Sequence, residues 1–434
     1  SIATICKAAP ELKGFFTITA SENLTNCWSH YQGAQCPRCK DITPAQSVVQ
    51  VNTLVRDGIA QAGTNARLIA WDWGWQDAWA ADAIALLPKD VTTMSVSEWS
   101  LPIERGGVKN TIGEYSISAV GPGPRATKNW AKARETGHQC IAKVQANCTW
   151  ECASVPYIPA LELVAQHAAG VRDAGVNGIM LGWTLGGCPS PNLEVFAEMG
   201  RPDSGTVNQV LNTVAARRFG EKLAPHVVSA WYSFSEAFAK YPYGSGLYTG
   251  PQQMGPANPL WAEKTGYNAT MVCFPYDDVD QWRGEYPAEV YNMQFNEMGA
   301  YFKFALDMLN MLTWHIDVPP KQKNVLEDEI RIAEACAIMF NSSSSQIGYV
   351  TRRNELAKCD IKHSAILCDL IESYLKNEME DAQRLYELQR EDSRIGYEAS
   401  NHYFYVPLDL AAKALNCRYL LDTALPAWRA KAQQ

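Results

Sequence analysis

The chain has 434 residues, a formal charge of −8 from 38 basic and 46 acidic side chains, and is 47% hydrophobic and 19% charged. At roughly 100–200 residues per domain this allows two to four domains, or one large α/β barrel with an appendage. The apolar content excludes disorder as the main state, the acidic balance argues against a nucleic-acid partner, and no apolar run approaches the ~18 residues a membrane span needs.

From residue 1 to about 190, short β-rich runs alternate with helical runs, the pattern of βα units on a parallel sheet. The first strand is read at Gly14–Ala20, leading into Ser21-Glu22-Asn23, and a helix follows from Pro44 to Gly63. Further strands are read at Ala66–Trp71, at Val91–Val96, at Gln139–Gln145 and at Gly178–Trp183, with another expected near Tyr115–Val120. Gly121-Pro122-Gly123-Pro124 breaks the chain before a helix reaching about Thr136, and a second helix spans Pro159–Ala174. Beyond 190 helical patterns dominate, at about 207–219, 224–240, 291–316, 324–341, 353–390 and 407–430, around a Gly/Pro/Tyr-rich loop at 241–290. The Ser342–Ser345 run reads as a loop or linker. The expected organisation is a barrel portion over 1–200 and a mainly helical domain over 201–434.

Thirteen cysteines cannot all pair within one chain, and four N-x-S/T sequons stand at Asn23, Asn147, Asn268 and Asn341. Together they point to a secreted, periplasmic or lumenal glycoprotein. No signal peptide precedes Ser1, so a mature, processed chain or one incomplete at its start is expected. Cys27-x2-His30-x5-Cys36-x2-Cys39 has the donors and spacing of a tetrahedral zinc site, although one or two disulfides are the preferred reading in an oxidising compartment. Cys140, Cys148 and Cys152 either brace the loop carrying Glu151 or are ordinary buried thiols.

In a parallel barrel, catalytic residues collect beyond the C-terminal ends of the strands. Glu22, Asp72, Glu98 and Glu151 sit there, among Trp71, Trp73, Trp75, Trp99, Trp150 and Trp183. Glycoside hydrolysis needs one carboxyl group to protonate the leaving oxygen and a second group to stabilise the oxocarbenium-like transition state. Indole faces stack on sugar C–H surfaces and exclude water, which lifts a neighbouring carboxyl pKa. Taken singly, each carboxylate also reads as a solvated loop residue or a helix cap. No phosphate-cradling glycine loop, H-E-x-x-H helix or G-x-S-x-G elbow occurs. The cluster Asn401-His402-Tyr403-Phe404-Tyr405 reads as packing or as a lid.

Several segments carry a resemblance: Ser21–Cys27 with Cys36-Pro37-Arg38-Cys39, Trp71-Asp72-Trp73-Gly74-Trp75, Ala142–Gln145, Thr149-Trp150-Glu151, Trp183–Gly187 with Pro189–Leu193, and Asp392–Tyr397. They resemble a group of largely uncharacterised barrel proteins similar to glycoside hydrolase families 20 and 163, the β-N-acetylglucosaminidase type. The resemblance implies a (β/α)8 TIM-type barrel. It also implies that Glu22 ends the fourth strand as general acid/base, although Ser21 stands where family 20 has its acetamido-orienting Asp. Strands four to eight would then lie in this chain, with the first three on a cleaved fragment or a companion chain. The expected activity is hydrolysis of β-linked, N-acetylhexosamine-containing glycans. Glu22 and Glu151 would be the carboxylate pair, Asp72 or Glu98 would orient substrate, and Trp73, Trp99, Asn147, Trp150 and Trp183 would bind sugar. No cofactor is required on this reading. The competing reading is a glycan-binding or structural subunit that kept the barrel and lost turnover.

Overall fold

The computed structural model describes the chain except for residues 22–23, 184, 272–273, 316–318, 359–360, 398–402 and 432–434. The first part runs α1 (Ile2–Ala8), β1 (Gly14–Ile18), α2 (Pro44–Gln61), β2 (Arg67–Trp71), α3 (Ala80–Leu86) and β3 (Thr92–Val96). It continues through β4 (Pro102–Arg105), β5 (Val108–Thr111), α4 (Pro124–Glu135), β6 (Cys140–Lys143), α5 (Leu161–Asp173) and β7 (Gly178–Met180). Helices follow: α6 (Pro191–Met199), α7 (Val207–Phe219), α8 (Ala224–Phe238), α9 (Val279–Trp282) and α10 (Ala288–His315). The last four are α11 (Pro320–Leu356), α12 (Ile361–Glu391), α13 (Pro407–Tyr419) and α14 (Leu425–Lys431). No helix among the described residues is long and apolar enough to cross a membrane.

Five strands form one parallel sheet in the order β1-β2-β3-β6-β7. This is an open half-barrel of five parallel strands, the number expected within this chain; the described residues do not close it into an eight-stranded barrel, and the expectation of a companion chain finds no support in the fold. Side chains alternate across each strand with period two. Leu68, Ala70, Cys140 and Ala142 face the helices and join the main core, while Trp71, Met94 and Val96 form a second cluster with Tyr115 on the opposite, concave face. Register aligns Ile18, Trp71, Met94 and Ile141 as one row and Val96, Lys143 and Met180 as the next. Such rows are the layering of a barrel interior, here covered on one side only, with Phe16 of β1 40% exposed.

Three segments depart from the sequence reading. Residues 115–120 form a loop, not a strand, because their N–H and O–H groups turn inward onto Glu151. Upstream, β4 and β5 make an antiparallel hairpin around Gly106-Gly107, whose positive φ values of 53° and 77° suit the tight turn. The Ser342–Ser345 run lies inside α11 and is buried. Ser343 Oγ bonds back to the Met339 carbonyl at 2.8 Å and Ser344 Oγ reaches Asn292 on α10 at 2.9 Å, so the hydroxyls are satisfied without leaving the helix.

Candidate functional site

The turn after β2 must carry Trp73 past the end of β1. Gly74 makes this possible: its φ is +73°, and a Cβ there would lie 1.7 Å from the Ala20 carbonyl oxygen. The turn starts an aromatic row across the C-terminal edge of the sheet. Phe16 meets Trp183 at 5.3 Å, Trp183 meets Trp71 at 5.4 Å, Trp71 meets Trp73 at 5.4 Å and Trp73 meets Trp99 at 5.1 Å, centroid to centroid. Tyr115 stacks on Trp73 from below, with ring planes 17° apart.

The Trp99 end of this row opens into a cavity of about 310 Å³ walled by Trp73, Trp99, Glu114, Tyr243, Tyr248 and Glu285. Glu114 is held by the Tyr243 hydroxyl, which accepts from its backbone N–H at 3.1 Å. Glu285 accepts from Asn110 Nδ2 and from the Ser245 N–H, both at 3.0 Å. Partial burial works against its charge, but these donors prevail and hold the carboxyl below its ordinary value.

The candidate carboxylates sit below or beside this cavity. Asp72 is buried, and its Oδ2 accepts from Ser95 Oγ at 2.7 Å, Asn129 Nδ2 at 2.7 Å and Arg125 Nη1 at 2.9 Å. Arg125 in turn lies 4.6 Å from the Trp99 ring centroid, so Asp72 is linked through Arg125 to the Trp99 wall of the cavity. Glu151 is fully enclosed. It accepts from Ser116 Oγ, the Ile117 N–H and Thr149 Oγ1 at 2.7 Å each, and from Ser118 Oγ at 2.5 Å. Both its oxygens accept from the 116–118 loop, with Thr149 sharing one of them, which makes Glu151 a loop clamp in this arrangement.

Glu98 is equally enclosed, and neither oxygen makes a hydrogen bond of ordinary geometry. Burial pushes its carboxyl well above the usual range, with the nearby N–H groups of Glu98 and Ser116 and the Lys143 charge offsetting only part of that. His167 Nδ1 approaches Glu98 at 3.7 Å, but burial brings the imidazole down to about 4, so at neutral pH this is not an ion pair. Lys143, at the end of β6, is 0% exposed and its ammonium is pulled down to about 7 by loss of water. It rests 4.6 Å from the Tyr115 ring centroid. Glu98, Glu114 and Lys143 thus form a buried group of ionisable side chains under the aromatic floor.

Among the sequence candidates, Trp73 and Trp99 line the cavity directly. Trp183 lies at the far end of the aromatic row and is 43% exposed. Trp150 is buried, with its ring 5.7 Å from the cavity residue Tyr248. Asn147 is wholly consumed: its Nδ2 donates to the Gly186 and Cys188 carbonyls at 2.5 and 2.7 Å, and its Oδ1 accepts from Ser190. That sequon is closed to sugar attachment in the folded chain, whereas Asn268 is exposed. Glu22 and Asn23, and Asn401 with His402, lie outside the described residues. Glu114, Lys143, Tyr243 and Glu285 were not singled out from sequence. Lys143 stood in a resemblance motif, and the Gly/Pro/Tyr-rich loop signalled Tyr243 and Glu285 only by composition.

Cys27, Cys36, Cys39, Cys140, Cys152 and Cys188 are free thiols, and Cys140, Cys148 and Cys152 are buried. Cys27, Cys36 and Cys39 come together, their sulfurs all within 4.8 Å of one another. His30 does not join them: its Nε2 is hydrogen-bonded to the Ser21 carbonyl at 2.7 Å. The Arg38 N–H, the Cys27 thiol and the Cys39 N–H bring Cys36 down to about 7, while Cys27, hydrogen-bonded to Cys36 and Cys39, is pushed up to about 11.

No family model and no curated protein matches the chain. Among solved structures, a family 138 glycoside hydrolase targeting pectin rhamnogalacturonan II matches at a TM-score of 0.55 and 10% identity, covering 100% of this chain and 63% of that one. The chain thus spans less than two thirds of that enzyme's length. A family 89 glycoside hydrolase from Clostridium perfringens, bound to 2-acetamido-1,2-dideoxynojirmycin, matches at 0.40 and 11% identity over 89% of this chain and 41% of that one. The first of these likenesses shows that the chain shares the α/β fold of that structure; the second is too distant to carry an argument.

Proposed function

We propose that this chain is a glycoside hydrolase unit acting on β-linked glycans, with N-acetylhexosamine-containing substrates the class implied by its sequence motifs. The observation that carries the reading is the cavity walled by Trp73, Trp99 and Tyr248 with Glu114 and Glu285 on the same wall. Flat apolar rings beside carboxylates are what a pyranose needs: C–H faces stack on the indoles while hydroxyls are hydrogen-bonded at the rim. Glu22, which follows β1 in the sequence, remains the proposed general acid/base. Glu114, nearly enclosed and in the field of Lys143, is proposed as the described carboxylate that meets the sugar. Such an enzyme would meet its substrate in a secreted, periplasmic or lumenal compartment.

The test compares Glu22→Gln and Glu114→Gln with the native chain on aryl β-hexosaminides and on pectic oligosaccharides. Each variant should lose at least about 100-fold in kcat while still binding the sugar. Unchanged turnover in both would sink the assignment. A second reading, a glycan-binding unit without turnover, is favoured by the enclosure of Asp72, Glu98 and Glu151. It predicts a measurable Kd for the native chain and no hydrolysis of either substrate.

A further inference from the structure

The loop between β1 and α2 holds three cysteines in an arrangement that the sugar site does not use. The Cys27, Cys36 and Cys39 sulfurs lie within 4.8 Å of one another, and none of the three is fully buried. Tetrahedral zinc with thiolate bonds of about 2.3 Å places its sulfurs some 3.7 Å apart, so the trio needs only a small contraction to close on one ion. The Cys36-Pro37-Arg38-Cys39 segment is wound into a tight turn. The Cys39 and Lys40 N–H groups donate to the Cys36 carbonyl at 3.2 and 3.0 Å, and the Arg38 and Cys39 N–H groups are directed at the Cys36 sulfur. Donors of that kind stabilise a thiolate that ligates a metal.

Beside the sulfurs is a solvent-facing depression of about 500 Å³, lined by Cys27, Cys36, His30, Gln32 and Gln35. We infer that Cys27, Cys36 and Cys39 form a three-thiolate site for zinc or a similar thiophilic divalent cation, with its fourth position facing this depression. Binding releases the thiol protons to solvent and involves no change of oxidation state. Water or the His30 ring fills the fourth position, the latter only if His30 gives up its bond to Ser21.

The position of the site gives it a role. Trp28 Nε1 donates to the Cys39 carbonyl at 3.4 Å, and the Tyr31 hydroxyl donates to the Gly74 carbonyl at 2.9 Å. The loop is therefore tied to the turn bearing Trp73, and it begins at Ser21, next to Glu22. A metal here fixes this loop against the turn bearing Trp73 without touching substrate. The inference goes beyond the proposed hydrolase function, and its readouts do not depend on turnover.

The experiment measures metal in the reduced full chain after zinc loading and removal of excess metal, by elemental mass spectrometry. About one zinc per chain is expected, and cobalt loading should give a thiolate-to-metal charge-transfer band. Cys36→Ser and Cys39→Ser should each lose the zinc and the band, while Cys188→Ser, which alters a half-buried thiol elsewhere, keeps both. Circular dichroism confirms that each variant is folded, and the cobalt band is also read in a Cys27→Ser chain should a variant fail to fold. Absence of zinc from the loaded native chain overturns the inference. So does unchanged binding in the folded serine variants, or a Cys27–Cys36, Cys27–Cys39 or Cys36–Cys39 disulfide in the native material by non-reducing peptide mapping.

Discussion

Lys143 offers the sharpest test of the electrostatics under the aromatic floor. Its ammonium falls from an ordinary 10.5 to about 7 because burial strips its water, with Glu98 and Glu114 recovering only part of the cost. At roughly 1.4 kcal/mol per unit, the shift corresponds to about 5 kcal/mol of destabilisation. The direction follows from proton counts. Below pH 7 both folded and unfolded chains carry the charge, and the full cost is present. Between 7 and 10.5 the unfolded chain binds more protons, so stability rises with pH.

Lys143→Met keeps the length of the side chain and removes the charge. It also removes the attraction that partly counters the upward shift of Glu98, and the cation contact with Tyr115, so part of the gain is returned. The net expectation is a variant about 3 kcal/mol more stable than the native chain at pH 6, with the gap shrinking steadily towards pH 10. Urea unfolding followed by tryptophan fluorescence across that range reads both quantities. Equal stability at pH 6, or a gap that stays constant with pH, would refute the reasoning.

Two other substitutions test neighbouring claims. Glu151→Gln leaves donors on the 116–118 loop without a charged acceptor, and should cost about 3 kcal/mol in chemical unfolding; a loss under 1 kcal/mol would remove its role as a clamp. Trp99→Ala deletes one wall of the cavity and should weaken binding of a hexosamine oligosaccharide about 10-fold or more by calorimetry. Unaltered affinity would place the sugar elsewhere.

The parallel strands were legible because each is a short apolar run bounded by turn residues, and their order in space follows their order in the chain. The carboxylates at strand ends were legible as positions but not as roles. Glu151 and Asp72 owe their partners to Ser116, Ser118, Asn129 and Arg125, which are 33 to 57 residues away in sequence. No local pattern announces such contacts. Glu114 was hidden for a related reason: it stands just before residues 115–120, which read as a strand but form a loop tied to Glu151. The α11 serines misled because small polar residues usually mark turns, whereas here their hydroxyls bond within the helix and to α10.

The apolar core passes from Cys6 to Leu425 without interruption near residue 200, and α5 packs on α6, α7 and α8. The helices of the half-barrel therefore find part of their cover in the helical region. Unfolding should be a single cooperative event, with the sheet and helices melting together in calorimetry. A fragment ending at 200 would expose to water the faces of α5 and α6 that α7 and α8 cover, and would aggregate. For this chain the long helices are part of the machinery that keeps five parallel strands in solution.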